Sequence, residues 1–428
     1  TDHPVPVHHR SGQRSPASNR QNYAQDEQIS IRGFGSRSTF GVRGVRLYVD
    51  GIPATMPDGQ GQVSHFNFDG AERIEVLRGP FSALYGNSAG GVIQLFTADG
   101  SEPAALLGTL GGGSDGAWRL GVGARGTRGD LGYTLNLSDF RSHGFRRHSR
   151  TERISSNAKL TFKLAHGGTL SLLTNTVAMP HSQDPQGLTR AQFDADPRQA
   201  SASALKFNTR KSVHQGQGGL LYTYALDAHQ SLDARVYYGQ RTVQQFLSVP
   251  VAAQQSPLSS GGVIDLDSSY RGGDFRWTWQ GAFAGGPVSL TAGVAYDAQY
   301  QHRLGFNNYV GDSLGVIGAL RRDEQDDVYN IDQFAQGTWR FAPRWSWTLG
   351  LRHSAVRFAS RDHYITASNP DDSGRIAYES TNPVAGLMFD VSQDWHVYAA
   401  YGHGFETPTF SEIGYRPSGE SGLNFDLR

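Results

Sequence analysis

The sequence contains no cysteine, which excludes disulfides, thiolate metal sites and a cysteine nucleophile. Its 39 basic and 39 acidic residues cancel, so no global field draws the chain to nucleic acid or an anionic surface. No run of about eighteen consecutive apolar residues occurs, and a transmembrane helix is not expected. A transmembrane β-barrel passes the same test, because its strands alternate in polarity and average to an unremarkable hydropathy. Neither an H-E-x-x-H pair nor a P-loop lysine is present, and the 15 histidines are scattered. Gly33-Phe34-Gly35 has Ser38 where a dinucleotide loop needs its third glycine. Gly86-Asn87-Ser88-Ala89-Gly90 fits the hydrolase pattern G-x-S-x-G, but Gly91 to Phe96 continues as strand where an elbow requires a helix. His8-His9 lies in a proline-punctuated tail over residues 1–18 and offers no preorganised tetrahedron. The chain therefore reads as a non-enzyme with no catalytic or metal-ligating residue.

What the chain does have is glycine, at 53 residues, and aromatics, at 11%, against only 18% charged. After Gly100 long segments alternate with period two. Leu131, Tyr133, Leu135 and Leu137 interleave with Gly132, Thr134, Asn136 and Ser138; Leu232, Ala234, Val236 and Tyr238 do the same, as do Trp345, Trp347, Leu349 and Leu351. One face is apolar and the other polar. The connections alternate too. Tight links at 126–130, 165–168, 227–229, 284–287, 342–344 and 392–394 are separated by long polar loops at 179–207, 248–261, 302–325 and 361–375. Short turns at one end and long loops at the other characterise an outer-membrane barrel. Trp339, Phe341, Trp345, Trp347 and Trp395 sit beside the tight turns, where an aromatic girdle would meet a membrane interface. Ordinary core aromatics are the alternative. In the loop at 183–193 a helical piece is expected to end near Asp196-Pro197.

Before Gly100 the pattern is of short strands and glycine-rich turns. Arg46 to Val49 runs into the hairpin signal Asp50-Gly51. Residues 73–98 place two apolar strands around Arg78-Gly79-Pro80, Gly86-Asn87-Ser88 and Gly90-Gly91. Glu75, Gly79, Pro80, Tyr85, Gly86, Gly90, Gly91 and Ile93 match, position by position, the end of the plug domain of TonB-dependent outer-membrane receptors. Ile31-Arg32-Gly33-Phe34 and Asp50-Gly51-Ile52-Pro53 resemble two further plug motifs. The chain thus resembles this receptor family from about residue 19 onwards.

The resemblance implies an all-β dominated protein: a transmembrane antiparallel β-barrel with an α+β plug inside it. Residues 19–100 correspond to the C-terminal part of the plug and 101–428 to the N-terminal part of the barrel. Roughly thirteen wall strands are expected, where the family closes with about twenty-two, so the chain is expected to be a fragment. The family implies energy-coupled uptake of a ferric siderophore or a similarly scarce nutrient at the Gram-negative outer membrane. Its partners would be outer-membrane lipid, a metal chelate and a TonB-type coupling protein, whose binding motif is not found in this sequence. No covalently bound cofactor and no nucleic acid is implied. By the same resemblance, Arg32 and Arg78 would latch the plug to a wall carboxylate, with Glu406 the candidate. Asp58, Gln60, Gln62 and His65 would lie near an apical, ligand-facing loop. A passive porin-like barrel and a secreted β-rich enzyme or lectin are the competing classes.

Overall fold

The computed structural model describes residues 17–18 and 22–427, apart from 32, 37, 39–40, 79–81, 87–88 and 415–422. Its inner unit is built on four strands, β1 (Val45–Val49), β2 (Ile52–Pro53), β3 (Ala71–Arg78) and β4 (Gly91–Thr97), in the order β2-β1-β4-β3. β1 and β4 run parallel and the other pairs antiparallel. Asp50 and Gly51, with φ of 50° and 82°, close the β1–β2 link in the two-residue turn that Asp-Gly favours. Val42, Val45, Leu47, Phe66 and Leu95 form the unit's apolar core. A short helix, α1 (Ser82–Tyr85), joins β3 to β4.

The second sheet is a wall of thirteen strands in a simple meander. They are β5 (Ala105–Gly112), β6 (Trp118–Arg128), β7 (Leu131–Ser142), β8 (Thr151–Lys163), β9 (Gly168–Gln183), β10 (Arg210–Ala225) and β11 (Gln230–Phe246). There follow β12 (Val263–Phe283), β13 (Gly286–Phe306), β14 (Leu320–Ala342), β15 (Trp345–Asp362), β16 (Gly374–Asp390) and β17 (His396–Gly402). Each strand pairs with its sequence neighbours, and β5 and β17 are not paired with each other. Wall strands from β6 to β15 all touch the inner unit, so the sheet curves round it.

The tight links fall at one end, for example 129–130, 284–285 and 343–344, and the long loops at the other. The ladders run further into the loops than the alternation indicated. β13 and β14 stay paired out to Phe306↔Leu320, so the loop expected over 302–325 shrinks to 307–319. There His302, Arg303, Glu324 and Gln325 put polar groups on both faces, and the periodic signal fades while the backbone ladder continues. The helical piece is α2 (Arg190–Ala195), held by a capping box between Thr189 and Gln192. A second, α3 (Ala202–Lys206), follows.

The polarity of the wall is reversed relative to a soluble sandwich, whose apolar faces meet inside. In β7, Asn136 and Ser138 are buried while Leu137 is 50% exposed; in β11, Val236 is 56% exposed and Tyr237 buried. Trp345, Trp347, Leu349 and Leu351 all face outward. Beyond Tyr238 the outward positions of β11 become Gln240, Thr242 and Gln244, so the apolar band hugs the short-turn end and the wall rises past it. Trp339, Phe341, Trp345, Trp347 and Phe389 pack against one another on this outer surface, with the tilted ring pairs Phe341–Trp347 at 4.9 Å and Trp345–Phe389 at 4.5 Å. They form an interface rim, and the reading as core aromatics falls.

Val236→Arg, in the apolar band, should destabilise the lipid-folded state by about 2–4 kcal/mol if it lies near the midplane. Gln240→Arg, on the same face two residues pairs further along, should cost far less. Denaturant titration of both variants in lipid vesicles checks the contrast; equal costs would place the band elsewhere.

Candidate functional site at the inner face of the wall

The inner unit is tied to the wall chiefly by charge. Arg46, at the second position of β1 in an otherwise apolar strand, reaches Asp297 of β13 at 2.9 Å, with both side chains buried. The Tyr237 hydroxyl also donates to Asp297. Asp50, at the β1–β2 turn, accepts from the Thr97 amide at 2.9 Å and from Lys159 of β8 at 3.2 Å. Arg119 of β6 holds both carboxylate oxygens of Asp69 at 2.6 Å, and Lys211 of β10 pairs with Asp26 at 2.7 Å. Arg235 of β11 lies against Gly51, where a Cβ would approach its guanidinium to 3.0 Å. Burial removes water from Arg46, Asp297, Asp50 and Lys159, so each of these charges needs its partner in place.

A further contact comes from the segment after β17, which folds back inside the wall. Its short helix α4 (Phe410–Ile413) packs Phe410 and Ile413 on Val328, Val356 and Phe358. Arg43, buried, pairs with Glu412 at 2.9 Å and with Glu406 at 3.2 Å. It also donates to the carbonyls of Gly59 and Thr407. Burial raises the Glu406 carboxyl above its ordinary value, against the pull of Arg43.

At the long-loop end a cleft of about 660 Å³ opens between the inner unit's 54–62 loop, the walls of β11 to β14 and Ser411 and Gly414. A smaller cavity of about 240 Å³ adjoins it beneath residues 23–27 and 61–68. Gln62, Lys211 and Arg241 line both. Among the described residues no cluster of histidine, aspartate and glutamate is arranged to hold a bare metal ion, and no helix is long and apolar enough to cross a membrane.

Residues 159–428 match the family described as TonB dependent receptor-like, beta-barrel, and residues 11–92 match the TonB-dependent Receptor Plug Domain. The chain belongs to the TonB-dependent receptors. Over 417 residues it is 23% identical to the vitamin B12 transporter BtuB of Photobacterium profundum, covering 94% of this chain and 56% of that one. The ferrienterobactin receptor of Escherichia coli K12 is 38% identical over 88 residues, covering 18% of this chain and 11% of its own. The fold is similar to the crystal structure of the unliganded ferric citrate transporter FecA, with a TM-score of 0.76 at 20% identity, over 92% of this chain and 58% of that one. The chain thus spans little more than half the length of BtuB and FecA. The family comprises receptors and transporters, and the chain is not an enzyme.

In this TonB-dependent receptor the inner unit is the plug. Of the expected latch residues, Arg32 lies outside the described residues. Arg78 ends β3 opposite Gly91, and its side chain is likewise outside them. Glu406 does meet a plug arginine, and that arginine is Arg43. Asp58, Gln60 and Gln62 line the cleft, with Asp58 and Gln62 largely buried. The backbone of His65 ends a short 3-10 turn, and its side chain is outside the described residues. Arg43, Arg46, Asp50, Lys159 and Asp297 were missed. The available signal was a charge inside the apolar runs flanking Gly44, which burial obliges to be paired.

Two outcomes test this geometry. Arg46→Met leaves Asp297 buried with only Tyr237, and should cost about 3–5 kcal/mol, seen as faster amide exchange across β1 and β4. Adding Asp297→Leu should restore most of the protection, because a packed apolar pair can replace a buried ion pair. The second concerns Asp58, whose carboxyl is raised by burial against the Gln60 amide and Arg43. A raised carboxyl favours the folded loop below its unfolded pKa, and that contribution is lost as pH rises through the folded value. Exchange at Gly59 and Gln60, corrected for intrinsic rate, should slow on acidification, and Asp58→Asn should abolish the dependence.

Proposed function

We propose that this receptor binds a ferric siderophore or a comparable scarce chelate in the cleft and takes it up across the Gram-negative outer membrane, powered by a TonB-type partner acting on the plug. In this reading residues 19–100 are plug and 101–428 wall. Asp58, Gln60 and Gln62 then contact ligand, while Arg43 with Glu406 and Glu412 serves as the latch; Arg32 and Arg78 join it if their side chains reach the wall. One observation carries the proposal: a cleft lined by both polar and apolar side chains opens on the long-loop side and is floored by a plug that meets the wall through paired charges. A passive pore would need an open lumen, whereas here each inward charge that holds the plug would lose its partner if the lumen were empty. Covalent chemistry is not required, because binding and gating suffice.

Cells in which this receptor is the sole high-affinity route should accumulate radio-iron from a ferric chelate, and a protonophore or loss of the coupling protein should abolish accumulation. Accumulation that persists without energy would instead identify a passive barrel.

A further inference from the structure

The inner face of the wall changes character where it lines the larger cleft. On β13 and β14 the side chains turned into it are polar or charged, Gln301, Arg303 and Arg322. Along the top of β11 and β12 aliphatic ones appear. Val243 stands directly opposite Leu266, and Ile264 is the next inward residue of β12. Leu247, Val249 and Leu258 of the intervening loop extend this surface, and all six line the cleft. Val243 is buried, while the other five are half-buried and keep apolar area open. Among the described residues no aromatic or histidine side chain lines the cleft. The loop that carries Leu247 and Val249 is held by two amides, Gln254 and Asn308, both 0% exposed. Gln254 Nε2 donates to the Val249 carbonyl at 2.7 Å and to Asn308 Oδ1 at 2.6 Å, and its Oε1 accepts from the Asn308 amide at 3.0 Å. Asn308 Nδ2 donates in turn to the Leu247 carbonyl at 2.7 Å.

Buried amides with matched donors and acceptors are costly to open, so this aliphatic surface is in place before any ligand arrives. Half-buried aliphatic side chains beside water forgo part of their burial, which a ligand can complete. Branched aliphatic groups supply area and dispersion but no ring to stack on. We infer that the chelate taken up carries an aliphatic arm, which lies along Val243, Leu247, Val249, Leu258, Ile264 and Leu266 while its metal-bearing part sits toward Asp58, Gln60 and Gln62. The inference rests on the uptake reading above and adds the chemistry of one part of the ligand. A methylene contributes about fourfold in affinity when fully buried, and less against a surface open on one side. Because the surface is preformed, little of that gain is spent on ordering the loop.

The test uses the ferric complex of desferrioxamine B acylated on its terminal amine with acetyl, butanoyl, hexanoyl or benzoyl, so that charge and chelate stay constant while the arm changes. A second set, a ferric dihydroxamate of citric acid, carries acetyl or hexanoyl on its hydroxamates. Binding is read as radio-iron retained by the receptor purified in detergent. In at least one set the hexanoyl probe should bind about tenfold tighter than the acetyl probe, with butanoyl between them and benzoyl gaining less than hexanoyl. Leu266→Asn and, separately, Leu258→Ser should each reduce the hexanoyl-to-acetyl ratio by roughly threefold or more. Detergent takes up a given probe equally whichever protein is present, so the change in ratio reports the wall. The heat-modifiable gel shift of each variant checks that it folds. A ratio near one, benzoyl bound as tightly as hexanoyl, or a ratio that neither substitution moves would overturn this inference and leave the uptake reading standing. Failure of both sets to bind would overturn both.

Discussion

The reversed polarity of the wall is the constraint on which the rest depends. An outward apolar band is stable only against lipid, and in lipid every backbone group must find its partner within the ladder. The inward face is then left with side chains such as Asn136, Ser138, Lys159 and Asp297, which have surrendered water. What occupies the lumen must answer them group by group. The plug does so with Asp50 for Lys159, Arg46 for Asp297 and Asp69 for Arg119. Its own sheet has only four strands, and its apolar tip, Ile52 and Met56, finishes its burial against Leu173, Tyr237 and Tyr270 of the wall. Each part completes the other.

Charges are an uneven adhesive, and that has consequences for a plug. A buried ion pair contributes little net stability over an apolar pair of the same shape, yet losing one member is costly. Contacts of this kind fix register while adding modest adhesion. An interface of equal area built from leucines would hold more firmly and discriminate less. The small apolar contact at Ile52 and Met56 beside a ring of paired charges therefore holds the plug in one register with little apolar adhesion.

How much of this was legible follows from what leaves a periodic trace. The thirteen strands, their tight turns and the hairpin at Asp50-Gly51 were visible, because alternation and turn chemistry are local. The direction of the polar face was not, since Leu137 and Asn136 alternate in the same way whether lipid or protein lies outside. Strand ends at Phe306 and Leu320 were lost where polar residues fill both faces. At the site, Glu406 was singled out from its place at a strand end, as a partner for Arg32 and Arg78, but the arginine it meets, Arg43, was not. Sequence separation between them is large, and nothing local distinguishes Arg43 from Arg32 or Arg46. Arg241 left no trace at all: in β11 it reads as one more polar residue, and its place in the cleft comes only from the fold.

The contacts of Arg43 join the cleft to the segment that folds back after β17. One guanidinium spans the carbonyl of Gly59 in the plug's apical loop, the carbonyl of Thr407 and the carboxylate of Glu412. Glu412 is itself committed, since it caps α4 by accepting from the Thr409 amide at 2.8 Å. Asp58 and Ser411, the neighbours of Gly59 and Glu412, both face the cleft. A ligand that shifts the 54–62 loop must therefore carry Arg43 with it or break its bonds, and breaking them strips α4 of a partner to its cap. Two surfaces of the cleft are thus bridged by a single buried side chain, which also joins the plug to the segment after β17.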